Sequence, residues 1–262
     1  MNPYRTIQSR IIGISKDAEL EWTFRVETSL KPCPGQFFQL SLPTIGEAPI
    51  SVSGFGDGWV DFTIRRVGNL TNAIHGLKSG DSIFIRGPYG KGFPLDKFTG
   101  THLVIAAGGS GLAPVKPLIS KYFDNQSELK GLDILLGFKN PGSVIFPDEI
   151  KKWKKKFNVV VTVDRGDNLW KGKTGLITER VKEMNLPEDG NVNVVVVGPP
   201  AMMKFTAAEF VLRKIPQERI WVSFERLMSC GIGKCGHCKI DYHYVCLDGP
   251  VMNYSMAARL ID

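Results

Sequence analysis

The chain has no long hydrophobic run. Apolar stretches such as LVIAA (103–107) and VVVV (194–197) fall far short of the ~18 residues that span a bilayer. The opening residues, MNPYRTIQSR, contain no apolar segment of signal-peptide length. Both absences predict a soluble, cytoplasmic protein without membrane insertion. Internal repeats and low-complexity tracts are also missing. Histidine is scarce, with 4 residues, and no motif offers an obvious catalytic His or Glu. Cysteine is too sparse and too odd in number, 5 in all, for a disulfide framework.

What is present suits a folded chain. The 262 residues are enough for two ordinary domains or one large one. A hydrophobic content of 43% with 23% charged residues excludes a disordered composition. The net charge of +7 could favour anionic nucleotides, an acidic partner or nucleic acid. Its densest run, KKWKKK (151–156), carries no recurring aromatics for base stacking, so it is expected to be a solvated helix face and not a nucleic-acid site.

Three segments follow one another. From 4 to 97, short alternating stretches (TIQSRIIGIS, EWTFRVE, QFFQLSL, WVDFTIRR, DSIFIRG) are separated by turn formers such as PCPG, FGDG and KSGD, which predicts an antiparallel barrel or sandwich. Near Thr99 the pattern changes. THLVIAA, LDILLGF (132–138), FNVVVTVD (157–164) and VNVVVVG (192–198) are continuous apolar strands of the kind a doubly covered parallel sheet needs. Helical stretches are expected after THLVIAA, with Val115, Leu118, Ile119 and Tyr122 on one face, and around 147–156, 176–184 and 202–214. Pro114 suits a first helical turn, whereas Pro117 leaves that helix's start unfixed. From 222 the chain is Gly- and Cys-rich. The expected domains are 1–97, 98–221 and 222–262.

Four cysteines crowd this last segment: Cys230, Cys235, Cys238 and Cys246, spaced C-x4-C-x2-C-x7-C. The first three match the plant-type [2Fe–2S] spacing, with a fourth ligand later. Gly231, Gly233 and Gly236 supply the conformational freedom a tight loop needs to face amides toward sulfur. Structural zinc is the alternative, with His237 or His243 as further ligands. It predicts a colourless binding module without redox activity. Zinc usually takes two C-x2-C knuckles, and only Cys235–Cys238 forms one. Cys33, in KPCPGQF, is expected to be a loop or buried thiol without a role.

GGSGLAP (108–114) follows an apolar strand and opens a helix, so Gly108, Gly109 and Gly111 could admit a phosphate to backbone N–H groups. GPPAM (198–202) ends the valine strand. Taken alone, either string could be a plain turn. In the first segment, Ser51 and Thr71 could donate hydroxyls, Gly68–Thr71 could present amides to a pyrophosphate, and Arg65 and Arg66 supply charge.

In order, PGQF (34–37), PIS (49–51), VGNLT (67–71), RGPYGKGF (86–93), GGSGLAP and GPPAM resemble the ferredoxin–NADP reductase superfamily over nearly the whole chain. The Cys-rich tail is similar to its iron–sulfur flavoprotein branch. That branch holds the B subunit of anaerobic sulfite reductase, the gamma subunit of sulfhydrogenases and the electron-transfer subunit of type B dihydroorotate dehydrogenase. The tail ERLMSCGIGKCGHCKI looks most like the sulfite reductase and sulfhydrogenase members, and its ending after NYSMAARLID looks most like the sulfite reductase member. The resemblance implies a flavin-binding barrel, a Rossmann-like parallel-sheet nucleotide domain and a small [2Fe–2S] module. It implies that Pro49, Ile50 and Ser51 flank the FAD ring and that Gly68, Asn69, Leu70 and Thr71 hold its pyrophosphate. Gly109, Gly111, Pro114, Gly198, Pro199 and Met202 would receive the nicotinamide nucleotide.

Three departures stand out. Ala48 occupies the place of the family's flavin-motif Arg, which leaves Arg65 or Arg66 as the substitute cation. Val197 replaces the Cys of a common C-G-P motif. The gap of seven before Cys246 is shorter than in the dihydroorotate dehydrogenase subunits. Where NADP-using relatives carry a Ser-Arg pair, this chain has Asp164 and Arg165. A carboxylate there repels a 2′-phosphate and accepts ribose hydroxyls, which favours NADH. The implied function is a reductase subunit that passes electrons from NAD(P)H through FAD and [2Fe–2S] to the catalytic subunit of a redox complex.

Overall fold

The computed structural model describes residues 4–260, so the outermost ends of the expected 1–97 and 222–262 segments lie outside the described residues. The elements are β1 (Ile7–Lys16), β2 (Glu21–Glu27), β3 (Phe37–Leu42), β4 (Gly46–Gly56), β5 (Trp59–Arg65), α1 (Asn69–His75), β6 (Ser82–Tyr89), α2 (Leu95–Phe98), β7 (His102–Gly108), α3 (Leu112–Asp124), β8 (Gly131–Phe138), α4 (Pro147–Trp153), β9 (Asn158–Val163), β10 (Lys173–Thr174), α5 (Ile177–Lys182), β11 (Val192–Val197), α6 (Pro200–Leu212), β12 (Ile220–Ser223), β13 (Lys239–Ile240), β14 (His243–Tyr244), β15 (Val251–Asn253) and α7 (Tyr254–Ala257). No described helix is long and apolar enough to cross a membrane.

The described residues form two compact units. One runs up to Phe93 and takes back Phe224–Val251; the other holds Pro94–Ser223 and the residues from Met252 on.

In the first unit, six strands close an antiparallel barrel in the order β1-β2-β5-β4-β3-β6. Period-2 alternation decides which side chains enter it. Phe24 and Val26 of β2 meet Phe62 and Val60 of β5 in register and are fully buried. Between them, outward-facing Arg25 pairs with Asp61 at 2.8 Å. Phe38 and Leu40 of β3 join the same core, as do Val52 of β4 and Ile83 and Ile85 of β6, with Ala48 and Ile50 packed against it. Glu47, Pro49 and Ser51 alternate with those β4 residues and so stand on the outer face. Arg86 follows the inward Ile85 and lies opposite Gln39 of β3.

The returning segment Phe224–Val251 packs on this barrel. Lys91 N–H donates to the Gly249 carbonyl at 2.6 Å. Gly90, at φ +78°, leaves a gap that a Cβ would close, since it would lie 2.5 Å from Pro250 Cδ. Within the segment, β13 and β14 form a two-stranded ribbon that turns at Asp241, φ +50°. That hairpin occupies most of the seven residues between Cys238 and Cys246 and returns the chain to its starting point.

The second unit is built on a seven-stranded sheet, ordered β10-β9-β8-β7-β11-β12-β15. The two continuous apolar runs sit side by side in its middle, with β7 and β11 parallel from His102↔Val192 to Ala107↔Val197. Val104, Ile105, Val194 and Val195 have no exposed surface, as expected of strands covered on both faces. The chain proceeds from β7 outward to one edge, then returns with β11 on the other side of β7. The strand order therefore reverses between β7 and β11. Pro117 is accommodated inside α3, which starts at Leu112, and is buried with Pro114. In the 151–156 run Trp153 is buried and all five lysines are exposed, so the run is a solvated helix end.

Candidate functional site

The cysteine loop is folded around its own amides. Gly231, Gly233 and Gly236 have φ of +73°, +71° and +77°, a region costly for any residue with a Cβ. These turns aim successive N–H groups inward. Ile232, Lys234 and Cys235 donate to Cys230 Sγ at 3.4, 3.3 and 3.4 Å, and Gly233 donates to Cys246 Sγ at 3.1 Å. Burial pushes the Cys230 thiol up, but the Ile232, Cys235 and Lys234 amides together with the Cys235 thiol outweigh it, bringing the group to about 6. Cys246 goes the other way. Burial and the neighbouring Cys238 thiol push it up to about 12, against the Gly233 amide.

The Cys235 thiol thus lies against Cys230, and Cys246 feels both the Cys238 and the Cys230 thiols. Four amides directed at the Cys230 and Cys246 sulfurs suit a cysteine-ligated centre that carries negative charge. The residues fit an iron–sulfur cluster. His243 lies in β14, on the ribbon that follows Cys238. Cys230, Cys238 and Cys246 are buried and Cys235 is exposed. Cys33 is an exposed thiol, its amide donating to Gln36 Oε1 at 2.8 Å.

The barrel strand next to this loop carries a group of residues that spacing alone does not reveal. Arg86, 5% exposed, donates Nη1 to the Cys230 carbonyl at 2.6 Å and Nη2 to the Ser229 carbonyl. Its Nε and Nη2 also meet the Glu47 carboxylate at 2.6 and 2.5 Å. Glu47 raises the Arg86 guanidinium further above its ordinary value, outweighing burial, with help from the Tyr89 hydroxyl at 3.1 Å. The Tyr89 ring lies where a Cβ on Gly231 would come within 3.2 Å.

The flavin-motif residues lie in the same unit. Pro49 and Ser51 share the outer face of β4 with Glu47, while Ile50 packs toward the core. Residues 47–51 are all partly exposed although β3, beside them, is almost wholly buried. This leaves a partly open strand face in mid-barrel, on which Pro49 and Ser51 stand beside Glu47. Gly68 caps α1, with open space where a Cβ would be. Thr71 Oγ1 accepts the Val67 and Gly68 amides at 3.0 and 2.9 Å, which fixes the turn and places Asn69 and Leu70 in the first helical turn. Arg65 ends β5 and reaches Glu21 at 3.5 Å. Arg66 is exposed.

In the second unit the two glycine strings meet at the reversal of strand order. Gly108 ends β7, and a Cβ on it would lie 2.2 Å from Met202 Sδ in the first turn of α6. A Cβ on Gly111 would lie 2.6 Å from the Val197 carbonyl and 2.8 Å from Gly198 Cα. Gly109, φ +55°, has no described residue within 4 Å of that position. Two strand ends thus touch backbone to backbone, with an open turn beside them and Pro114 and Pro199 flanking. In open α/β sheets, ligands bind at the C-terminal ends of the strands at such a switch point. Asp164 and Arg165 follow β9, held through their amides by the Phe138 and Lys139 carbonyls at 2.9 and 3.2 Å, with exposed side chains.

Comparison with known proteins agrees with this geometry. Residues 105–208 match the oxidoreductase NAD-binding domain family, and residues 225–256 match the iron–sulfur cluster binding domain of dihydroorotate dehydrogenase B. The chain is 34% identical over 281 residues to the sulfhydrogenase 2 subunit gamma of Pyrococcus furiosus, covering 97% of this chain and 96% of that one. It is also 34% identical to the sulfhydrogenase 1 subunit gamma of that organism, over 91% of this chain and 83% of the relative. A probable dihydroorotate dehydrogenase B electron transfer subunit of Thermococcus kodakarensis is 32% identical, over 95% of each chain. Among solved structures, a chain of an NADH-dependent reduced ferredoxin–NADP oxidoreductase shares the fold, with a TM-score of 0.80 at 24% identity over 99% of this chain and 91% of that one. The chain belongs to the ferredoxin–NADP-reductase-like, NAD-binding flavoproteins that carry a dihydroorotate dehydrogenase B-type iron–sulfur domain, and is an NAD(P)H-dependent FAD and iron–sulfur oxidoreductase subunit.

Proposed function

We propose that the chain relays electrons from NADH to the catalytic subunit of a multi-subunit oxidoreductase, with residues 1–97 serving the flavin, 98–221 the nicotinamide nucleotide and 222–262 a [2Fe–2S] cluster. The observation that carries this reading is the convergence of four backbone amides on the Cys230 and Cys246 sulfurs within the four-cysteine loop. A bound flavin supplies the needed conversion, because it accepts a hydride yet can release single electrons. The chain's own residues bind and orient. Gly108–Gly111 and Gly198–Met202 admit the nucleotide's phosphates to the strand ends. Asp164 accepts ribose hydroxyls and disfavours a 2′-phosphate. Pro49 and Ser51 offer the ring its platform, Gly68–Thr71 receive the pyrophosphate, and Arg65 or Arg66 supplies the cation that Ala48 does not. The four cysteines ligate the irons, and exposed Cys235 gives the centre a solvent-facing edge toward a partner. No acid–base side chain is needed for hydride transfer, so the work of this chain is positioning.

The partner is the finer question. The tail motif resembles the sulfite reductase B subunit and the sulfhydrogenase gamma subunit alike. The relatives matched over most of their length are sulfhydrogenase gamma subunits and probable dihydroorotate dehydrogenase B electron transfer subunits, which favours a hydrogenase-type or dihydroorotate-dehydrogenase-type partner. Anaerobic purification of the native complex, with identification of its chains, decides it. A hydrogenase, dihydroorotate dehydrogenase or sulfite reductase catalytic chain supports the corresponding reading, and a chain that purifies alone and passes no electrons onward opposes all three.

A further inference from the structure

Arg86 is nearly buried, at 5% exposed, and saturated by four acceptors from three parts of the barrel unit. Two are backbone carbonyls of the cysteine loop, Ser229 and Cys230; one is the Glu47 carboxylate; one is the Tyr89 hydroxyl. Glu47 stands on the outer face of β4, two residues before Pro49. The guanidinium therefore ties the strand read here as the flavin platform to the peptide of the first cysteine ligand. A planar fork with fixed donors suits this bridging in a way a lysine ammonium does not.

Charge makes the tie more than mechanical. A cluster gains one negative charge on reduction, so a nearby cation stabilises the reduced form and a nearby anion the oxidised form. Groups behind the ligands tune a metal centre in this way. Arg86 touches the loop and Glu47, 26% exposed at its side chain, sits behind it. The two charges compensate one another only while both are present.

We propose that Arg86, held by Glu47, is the positioning residue that seats the Cys230 peptide on the barrel, and that the Arg86–Glu47 pair sets the reduction potential of the cluster. This rests on the relay reading above.

The test is an anaerobic redox titration of the intact protein, following the reduced cluster by electron paramagnetic resonance. Arg86→Gln leaves the Glu47 charge unbalanced and shifts the cluster midpoint negative. Glu47→Gln leaves the Arg86 charge unbalanced and shifts it positive. At a poise where half the wild-type clusters are reduced, the ratio of reduced to oxidised cluster thus falls several-fold in the first variant and rises several-fold in the second. The double variant returns toward wild type, and Arg86→Lys, which keeps the charge, stays near it. Should Arg86→Gln fail to hold iron, the positive shift in Glu47→Gln still decides the matter. A purely structural pair predicts loss of stability and iron in both variants, with unchanged or like-signed midpoints; that result overturns the proposal. A wild-type protein with no reducible cluster overturns the relay reading itself, and is distinguished by its missing signal.

Discussion

In the loop from Cys230 to Cys246, backbone amides already point at sulfur, and the glycines are needed because the chain must turn through left-handed conformations to aim them. In the turn from Gly108 to Gly111, two of the glycines serve closeness instead. They let the ends of β7 and β11 meet at distances where a Cβ would collide with a carbonyl or a thioether. One region is preorganised for negative charge, the other for the approach of a ligand to bare backbone. Similar composition thus serves two physical ends, and substitutions should separate them.

The largest effect is expected at the cysteines. Cys238→Ser should leave NADH-dependent bleaching of the flavin intact while lowering electron delivery to the partner by more than the roughly 10–100-fold that loss of a supporting group costs a metal site. Stopped-flow absorbance and a partner-reduction assay measure the two halves separately.

The nucleotide turn should respond through packing. At Gly111 an added methyl meets backbone, so Gly111→Ala should cost about 1–3 kcal/mol, as overpacking does. It should also raise the KM for NADH. At Gly108 the same methyl meets the flexible end of Met202, and the cost should stay under about 1 kcal/mol because methionine repacks easily. Denaturant melts of both variants test the contrast, and equal losses would break it.

Asp164→Ser should raise the ratio of kcat/KM for NADPH over NADH by roughly tenfold, about 1.4 kcal/mol. A large NADPH preference in the unsubstituted protein would contradict the role given to this carboxylate.

The smallest effect concerns α3, behind the turn. Burial raises the Tyr122 hydroxyl from its ordinary value near 10 up to about 12, and its oxygen has no hydrogen-bond partner among the described residues. Between those values the unfolded chain loses the proton while the folded chain keeps it. Stability is therefore fully present below pH 10 and is lost as pH rises toward 12. Tyr122→Phe should remove that alkaline decline and be neutral or stabilising by up to about 1 kcal/mol at neutral pH. Thermal melts at neutral and alkaline pH, compared between the two proteins, show it.

Much of this was legible in residue order. Alternation against continuous apolar runs separates barrel from sheet because the two differ in how many faces are covered. The cysteine spacing is legible because ligands must lie close along a tight loop. The Arg86–Glu47–Tyr89 group was not. Glu47 and Arg86 are 39 residues apart and Cys230 lies another 144 beyond Arg86. Only closure of the barrel and the return of the tail bring them together. With Ala48 in place of the flavin-motif arginine, residue order offers Arg65 and Arg66 as the cations of that segment. The buried cation nearby was Arg86, already committed to the cysteine loop. The division of the tail at Val251–Met252, with β15 and α7 joining the sheet unit, likewise has no mark in composition.

The account stands on a two-iron centre fed from NADH. Iron and acid-labile sulfide analysis of anaerobically prepared protein, with paramagnetic resonance before and after NADH, tests it most directly. The expected result is two irons and two sulfides per chain, with a signal that appears on adding NADH and requires bound flavin. Zinc in place of iron, or iron whose signal NADH never elicits, would contradict it.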